Sequence, residues 1–333
     1  MMFAHNGGRA ACVAALALLG VLSILICVGI GTVPVTPAEV IRALFVDDGS
    51  TARLLVWELR LPRVLCCALV GICLSLSGCI LQGVMRNHMA SPSTIGVTGG
   101  ASLVGYLTLV VCPQYAALLP LGAILGAFSA TMLIYALAYR RGASPVKMIL
   151  SGMAVSALCG ACNDMIKLLF AGSLGNASGF LVGGFNGCVW PSVGLIAPYA
   201  LVGGVICIFL PTGLNLLMLG DEPARALGLR SEAFRFLLIA VASILAGASI
   251  AVAGLISFVG LIVPHIARLL VGSDYRWLMP ASACLGCALV TVCDTVGRVI
   301  LPPGEIPAGV ILSLLGAPFF LWLLRSRETG GEG

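Results

Sequence analysis

The chain has 333 residues, of which 60% are hydrophobic and only 9% charged. A soluble domain carries about 25% charged residues, so this surface cannot face water on all sides. The formal charge of +5 does not call for a nucleic-acid partner, because arginines at cytoplasmic helix ends account for most of it.

Spanning the hydrocarbon core takes ~20 helical residues, and ten runs qualify or nearly do. They are 10–32, 61–84, 93–112, 115–139, 146–170, 192–211, 234–254, 257–271, 277–298 and 306–324. Short alternating segments of a membrane barrel are absent. The expected class is therefore an all-α polytopic membrane protein with about ten transmembrane helices, forming a single transmembrane domain over 1–333. The first run follows Arg9. It is too long for a signal-peptide core and no small-x-small cleavage site ends it, so it reads as the first membrane helix.

Between the first two runs lies 33–60, and WELRLPRVL (57–65) crosses from it into the second run. Pro62 suits the first turn of a helix, where its missing N–H costs little. Arg60 and Arg63 sit at the positive end of that helix dipole, unfavourable by about a few tenths of a kcal/mol. Two readings stay open: snorkelling to lipid headgroups, or cations waiting for carboxylates of an external partner. After the second run, Ser91–Pro92 and the glycines of 96–100 suit a tight re-entry with close helix contact. Asn87 and His88 there read as satisfying loop backbone.

CGAC at 159–162 and CLGC at 284–287 match the C-x-x-C spacing, but both fall inside apolar runs. They read as small packing residues, and no metal site is expected. Cys112 and Cys188 fall near the outer face, where a disulfide between them is left open. Asp164 and Lys167 read as an i,i+3 ion pair beside Asn163, and lining the mouth of a pathway is the other reading. The 212–233 connection contains LGDEPARALGLR. Asp221, Glu222 and Pro223 mark a helix start and Gly228 a stop, which predicts one short exposed helix. It is either a solvated connector or a docking helix for a soluble partner.

ISFVGLIVPHIARLL, 256–270, raises its own question. Pro264 removes a backbone donor and should bend or interrupt the helix, leaving the Gly260 carbonyl in need of a partner. Pro264, His265 and Arg268 read as a hinge and inner helix end. A lone histidine lacks the co-ligands of a metal site. Asp294 and Arg298 are spaced i,i+4 and can pair locally.

With the N-terminus inside, twelve basic residues lie on the cytoplasmic side and six outside, which favours that topology. Both termini are then cytoplasmic. Spans two to five and seven to ten run in opposite senses, which permits an inverted repeat. No phosphate-cradling G-x-x-x-x-G-K-[ST] and no H-E-x-x-H occurs. No catalytic residue is expected, and the chain has no ATPase site of its own. Ionisable residues within the spans are too sparse to favour an ion-coupled secondary transporter, which stays as the rival class.

Four blocks carry a resemblance: 59–103, 219–229, 253–280 and 305–324, with 181–195 a weaker fifth. Together they resemble the permease subunits of FecCD/BtuC-like ATP-driven importers for iron–siderophore complexes, haem and vitamin B12, with the type II importer permease fold. The resemblance implies a homodimer in the cytoplasmic membrane of a bacterium, with two cytoplasmic ATPase subunits below. A periplasmic or lipoprotein substrate-binding protein docks above. ATP and Mg belong to the ATPase, and no cofactor is bound by this chain. By the same matching, Gly220, Asp221, Glu222, Ala224, Arg225, Leu227 and Gly228 form the coupling helix that seats in the ATPase. Arg60, Arg63 and Arg298 face the binding protein, and Ala143, Ser144 and Pro145 form a cytoplasmic gate. Ferric siderophore is the first-choice cargo, with haem or cobalamin the alternative.

Overall fold

The structure is a computed structural model that describes residues 6–47, 49–138 and 145–328, and its regular elements are helical. Helix α1 spans Asn6–Gly29, and α2 (Pro37–Phe45) follows across a short turn. The Thr36 hydroxyl accepts from the Glu39 amide, and the Glu39 carboxylate accepts from the Thr36 amide. This reciprocal cap also holds the Glu39 carboxyl below its ordinary range. One turn, α3 (Thr51–Arg53), and a wider π-wound stretch, Leu54–Arg60, lead without a break into α4 (Leu61–Met85).

Beyond the left-handed Arg86 come α5 (Val97–Tyr106), α6 (Leu119–Ala138) and α7 (Pro145–Leu169). The glycine-rich connection after α7 holds a 3₁₀ stretch and α8 (Ser178–Val182). Then follow α9 (Trp190–Phe209), α10 (Pro211–Met218), α11 (Asp221–Ala226) and α12 (Ser231–Ala253). The chain closes with α13 (Val259–Val271), α14 (Tyr275–Val299) and α15 (Ala308–Glu328).

Each of the ten expected spans meets a helix. Six are long and apolar enough to cross a membrane unaided. Among the described residues the pair α9–α10, bent by 63°, makes a seventh when its two parts are taken as one span, and shorter apolar stretches lie in α5, α13 and α15. The bend corrects the expected 212–233 loop, whose first part is helical as α10.

At the centre stands α4, buried along nearly its whole length and wrapped by α14, α12, α9 and α13. Two backbone crossings set that packing. A Cβ on Gly78 would lie 1.9 Å from the Gly260 carbonyl oxygen, and one on Gly71 would lie 2.2 Å from that of Gly286. Only glycine permits such approach, as is common where membrane helices meet.

The contacts repeat with a shift of five spans. Helix α4 packs on α14 as α12 packs on α6, and α5 meets α6 and α7 as α13 meets α14 and α15. The two halves join through α4 and α12, which pack on each other and each on the long helix of the opposite half, α14 and α6. Each short helix, α5 and α13, follows a break that ends in a left-handed residue: Gly96 (φ 72°) in one half, Phe258 (φ 67°) in the other. A repeat between the two halves is thus visible in contacts and break points. It also corrects the reading of Pro264. The chain is interrupted at 254–258, whereas α13 runs on through Pro264 as a helix.

Candidate functional site

Polar side chains gather at the two ends of the α4 bundle. At one end stands α11. Gly220 (φ 119°) turns the chain into it, and Asp221 lies in its first turn. At its close, the Gly228 amide donates to the Arg225 carbonyl at 2.9 Å and the Leu229 amide to the Ala224 carbonyl at 3.0 Å. That double bond pattern with a left-handed glycine (Gly228, φ 86°) is the Schellman stop. The start and stop read from the sequence are therefore both in place.

The helix has two faces. Ala224 is buried. The Asp221 carboxylate accepts from Arg86, at the end of α4, and from Arg235 in α12 at 2.7 Å. Arg235 is fully buried, and the Glu232 carboxylate lies 3.5 Å from it. So Asp221 and Ala224 fasten the helix to the bundle, Ala224 fully buried and Asp221 still partly exposed. Glu222, Pro223, Arg225, Ala226 and Leu227 are exposed. Beside them opens a groove of about 490 Å³ lined by Arg225, Gly228, Arg230 and Glu232.

One turn deeper lies the answer to the proline question. The Gly260 carbonyl that Pro264 leaves unbonded accepts from the Gln82 side-chain amide at a long 3.4 Å, and the Gln82 carbonyl accepts from Arg268 at 3.0 Å. His265 meets the edge of the Phe319 ring at a centroid distance of 5.7 Å. PHIAR is thus a packed helix segment tied to α4 through one glutamine, with Arg268 turned toward that glutamine. Sequence reasoning had not singled out Gln82. Its signal was there: it is the single amide side chain in 61–85, and an intramembrane polar group needs a partner.

At the opposite end the three arginines come together, as the spacing could not show, but they do not stand free. Arg63 makes a forked pair with Asp294, both bonds 2.9 Å, and a third bond of 2.8 Å to Glu305. Arg298 sits 3.3 Å from Asp294 and donates to Thr295 at 2.9 Å. Arg60 donates to the carbonyls of Gly29, at 2.9 Å, and Val33. All three are buried, so the expectation of cations presented to a partner's carboxylates is corrected to an internally paired cluster. Desolvation explains it, since guanidinium groups removed from water need paired acceptors. Glu305, one-third exposed, is the part of the cluster open to solvent. It borders two cavities, of about 340 and 290 Å³.

The remaining candidates are quieter. Ala143 and Ser144 lie outside the described residues, and Pro145 opens α7. Asp164 and Lys167 pair at 2.9 Å, and Asn163 donates to Ser102 at 3.0 Å. Cys112 and Cys188 are both free thiols. Among the described residues no cluster of three or more potential metal ligands occurs.

This arrangement has relatives. The Fe(3+)-citrate import permease YfmE of Bacillus subtilis is 39% identical over 310 residues, covering 92% of each chain. The hemin transport permease HmuU of Yersinia pestis is 36% identical over 295 residues, covering 86% of this chain and 88% of the other. The cobalamin import permease BtuC of Halobacterium salinarum is 40% identical over 282 residues, covering 84% and 76%. A solved metal-chelate type ABC transporter in an inward-facing conformation superposes with a TM-score of 0.84 at 29% identity, covering 94% of this chain and 98% of that one. The ten-span bundle, its two polar ends and a family description that matches residues 18–326 agree, and the chain belongs to the FecCD transport family.

Proposed function

We propose that this FecCD-family permease carries an iron chelate, a ferric siderophore first, across the cytoplasmic membrane of a bacterium. The chain is a transport component and not an enzyme; ATP hydrolysis belongs to separate subunits, as in the importers it resembles. The working unit is two copies of this chain with two ATPase subunits and a substrate-binding protein. Both termini lie in the cytoplasm, and ATP and Mg sit on the ATPase. Haem or cobalamin by the same route is the second reading, favoured by the hemin and cobalamin permeases among the relatives.

The observation that carries the reading is the two-faced α11. Its inner face, Asp221 and Ala224, is fastened to α4 and α12, while Glu222, Arg225 and Leu227 stand exposed. A lever needs both: a surface for an outside partner to grip and a rigid link to the membrane helices. The ATPase grips the exposed side, and Gly220 and Gly228 turn the chain into and out of the short helix. At the other end, the face with Arg60, Arg63, Arg298 and Glu305 receives the binding protein. There the arginines fix the shape of the face, and Glu305 with its two cavities meets the partner. The segment of Ala143, Ser144 and Pro145 serves as the inner gate, and Pro264, His265 and Arg268 brace the inner end of α13.

In the reconstituted complex, Glu222→Ala with Arg225→Ala should cut binding-protein-stimulated ATP turnover about tenfold, the scale of ~1.4 kcal/mol expected for two central contact residues. Size-exclusion profiles should stay unchanged, because neither residue supports the core. Full stimulation in that double variant would remove α11 as the coupling element.

A further inference from the structure

Helix α2 is left over from this account. It is too short to span, it belongs to neither polar cluster, and it carries the most exposed large apolar residue of its region. At about 100° per residue it divides into three sectors. Val40, Ala43 and Leu44 point inward, and Val40 and Ala43 share a small satellite core with Cys27, Val28, Val56 and Val64. On the next side lie Ile41 and Phe45, 61% and 84% exposed. The third side carries Glu39 and Arg42, both exposed. A helix on a soluble face needs only the first and third sectors. An exposed apolar sector between a packed side and a charged side is what a helix needs when it lies along a membrane surface.

Two independent features place that surface at the right depth. The outward apolar residues of α1, including Leu22, Leu25 and Ile26, and Ile30 just beyond it, lead toward α2, which packs against α1. Ile41 and Phe45 are therefore exposed on a helix packed beside an apolar span that is itself long enough to cross a membrane. Beneath the end of α2, Arg53 donates to the Ala43 carbonyl and stacks 4.1 Å from the Trp57 ring, which meets Trp190 at 5.3 Å. Paired tryptophans with a cation over the ring mark the level where lipid headgroups begin.

We propose that α2 is an interfacial helix, lying in the headgroup layer at the Arg63 end of the bundle with Ile41 and Phe45 in the acyl boundary. Its partner is lipid, and a docked protein is the competing occupant. The proposal rests on the chain spanning a membrane and holds whichever leaflet that end faces.

The test uses the full chain in vesicles of phosphatidylethanolamine and phosphatidylglycerol made permeable to iodide. A fluorescent amino acid is encoded at position 45, and separately at the solvent-facing position 47. At 45, lipids brominated high on the acyl chain should quench strongly, and iodide quenching should be roughly threefold or more weaker than at 47, as for a side chain in the boundary layer. Equal iodide quenching at the two positions overturns the proposal. So does shielding of position 45 that develops only when a binding protein is added, because the face would then belong to that protein. Transport need not be measured, so failure of the importer reading and failure of this one stay separate.

Discussion

At the residue scale, Gln82 shows how one polar side chain is used in an apolar helix. It closes the gap opened by Pro264 and holds Arg268. Gln82→Leu should cost about 1–3 kcal/mol, the penalty of leaving buried polar groups without partners. It should lower the melting temperature of the purified protein by a few degrees, with Gln82→Glu, which still accepts from Arg268, losing less; a melting curve that does not move would mean the bonds carry no net stability. The arginine cluster gives a second test. Asp294 is almost fully buried and serves two arginines, whereas Glu305 is one-third exposed and serves one. Asp294→Asn should therefore cost about 3–5 kcal/mol and Glu305→Gln about 1 kcal/mol or less, read as a difference in denaturant midpoint. The reverse order would show that Glu305 is the main support. The pairs close in sequence, Asp294–Arg298 and Asp164–Lys167, were legible because helical spacing brings them together. Arg63–Asp294 and Asp221–Arg86 were not, since they join residues brought together only by the tertiary fold.

At the element scale, the signals with a local cause were readable. Acidic residues and a proline started α11 and a glycine stopped it, because capping is settled within a few residues. The position of the break before α13 was not. Pro264 is the stronger breaker on paper, yet its missing bond falls on a carbonyl that Gln82 can serve, while Gly254 (φ 69°) and Phe258 take the turn. Tertiary supply of one donor decided which of two weak points broke. The crossing of α4 and α13 is less forgiving. With Gly78 and Gly260 in backbone contact, Gly78→Val must push the two helices apart. Overpacking alone costs about 1–3 kcal/mol or more, and this site lies at the centre of the bundle. The variant should fail to give a monodisperse peak in detergent. Wild-type yield and stability would show that the helices can slide apart there at little cost.

At the scale of the whole molecule, composition and apolar run length were enough for the class and for ten helices, since crossing a bilayer imposes a length on every span. The bend in the pair α9–α10 and the shortness of α5 escaped the sequence, because a helix shielded by its neighbours need not satisfy the bilayer alone, whereas the shortness of α13 was legible in the run 257–271. The repeat between the halves survives in contacts and break points where identity between the halves is too weak to see. Two halves joined by α4 and α12 suit a bundle that rocks about its middle.

The central position of α4 has a mechanical consequence. Its far end is clamped to α14 through Arg63 and Asp294, and its near end to α11 through Arg86 and Asp221. Between the clamps α4 runs unbroken from Arg63 to Met85, at about 1.5 Å per residue long enough to cross the bilayer. A displacement of α11 would therefore have a stiff axle to travel along, reaching the Arg63 end of the bundle undiluted by loops.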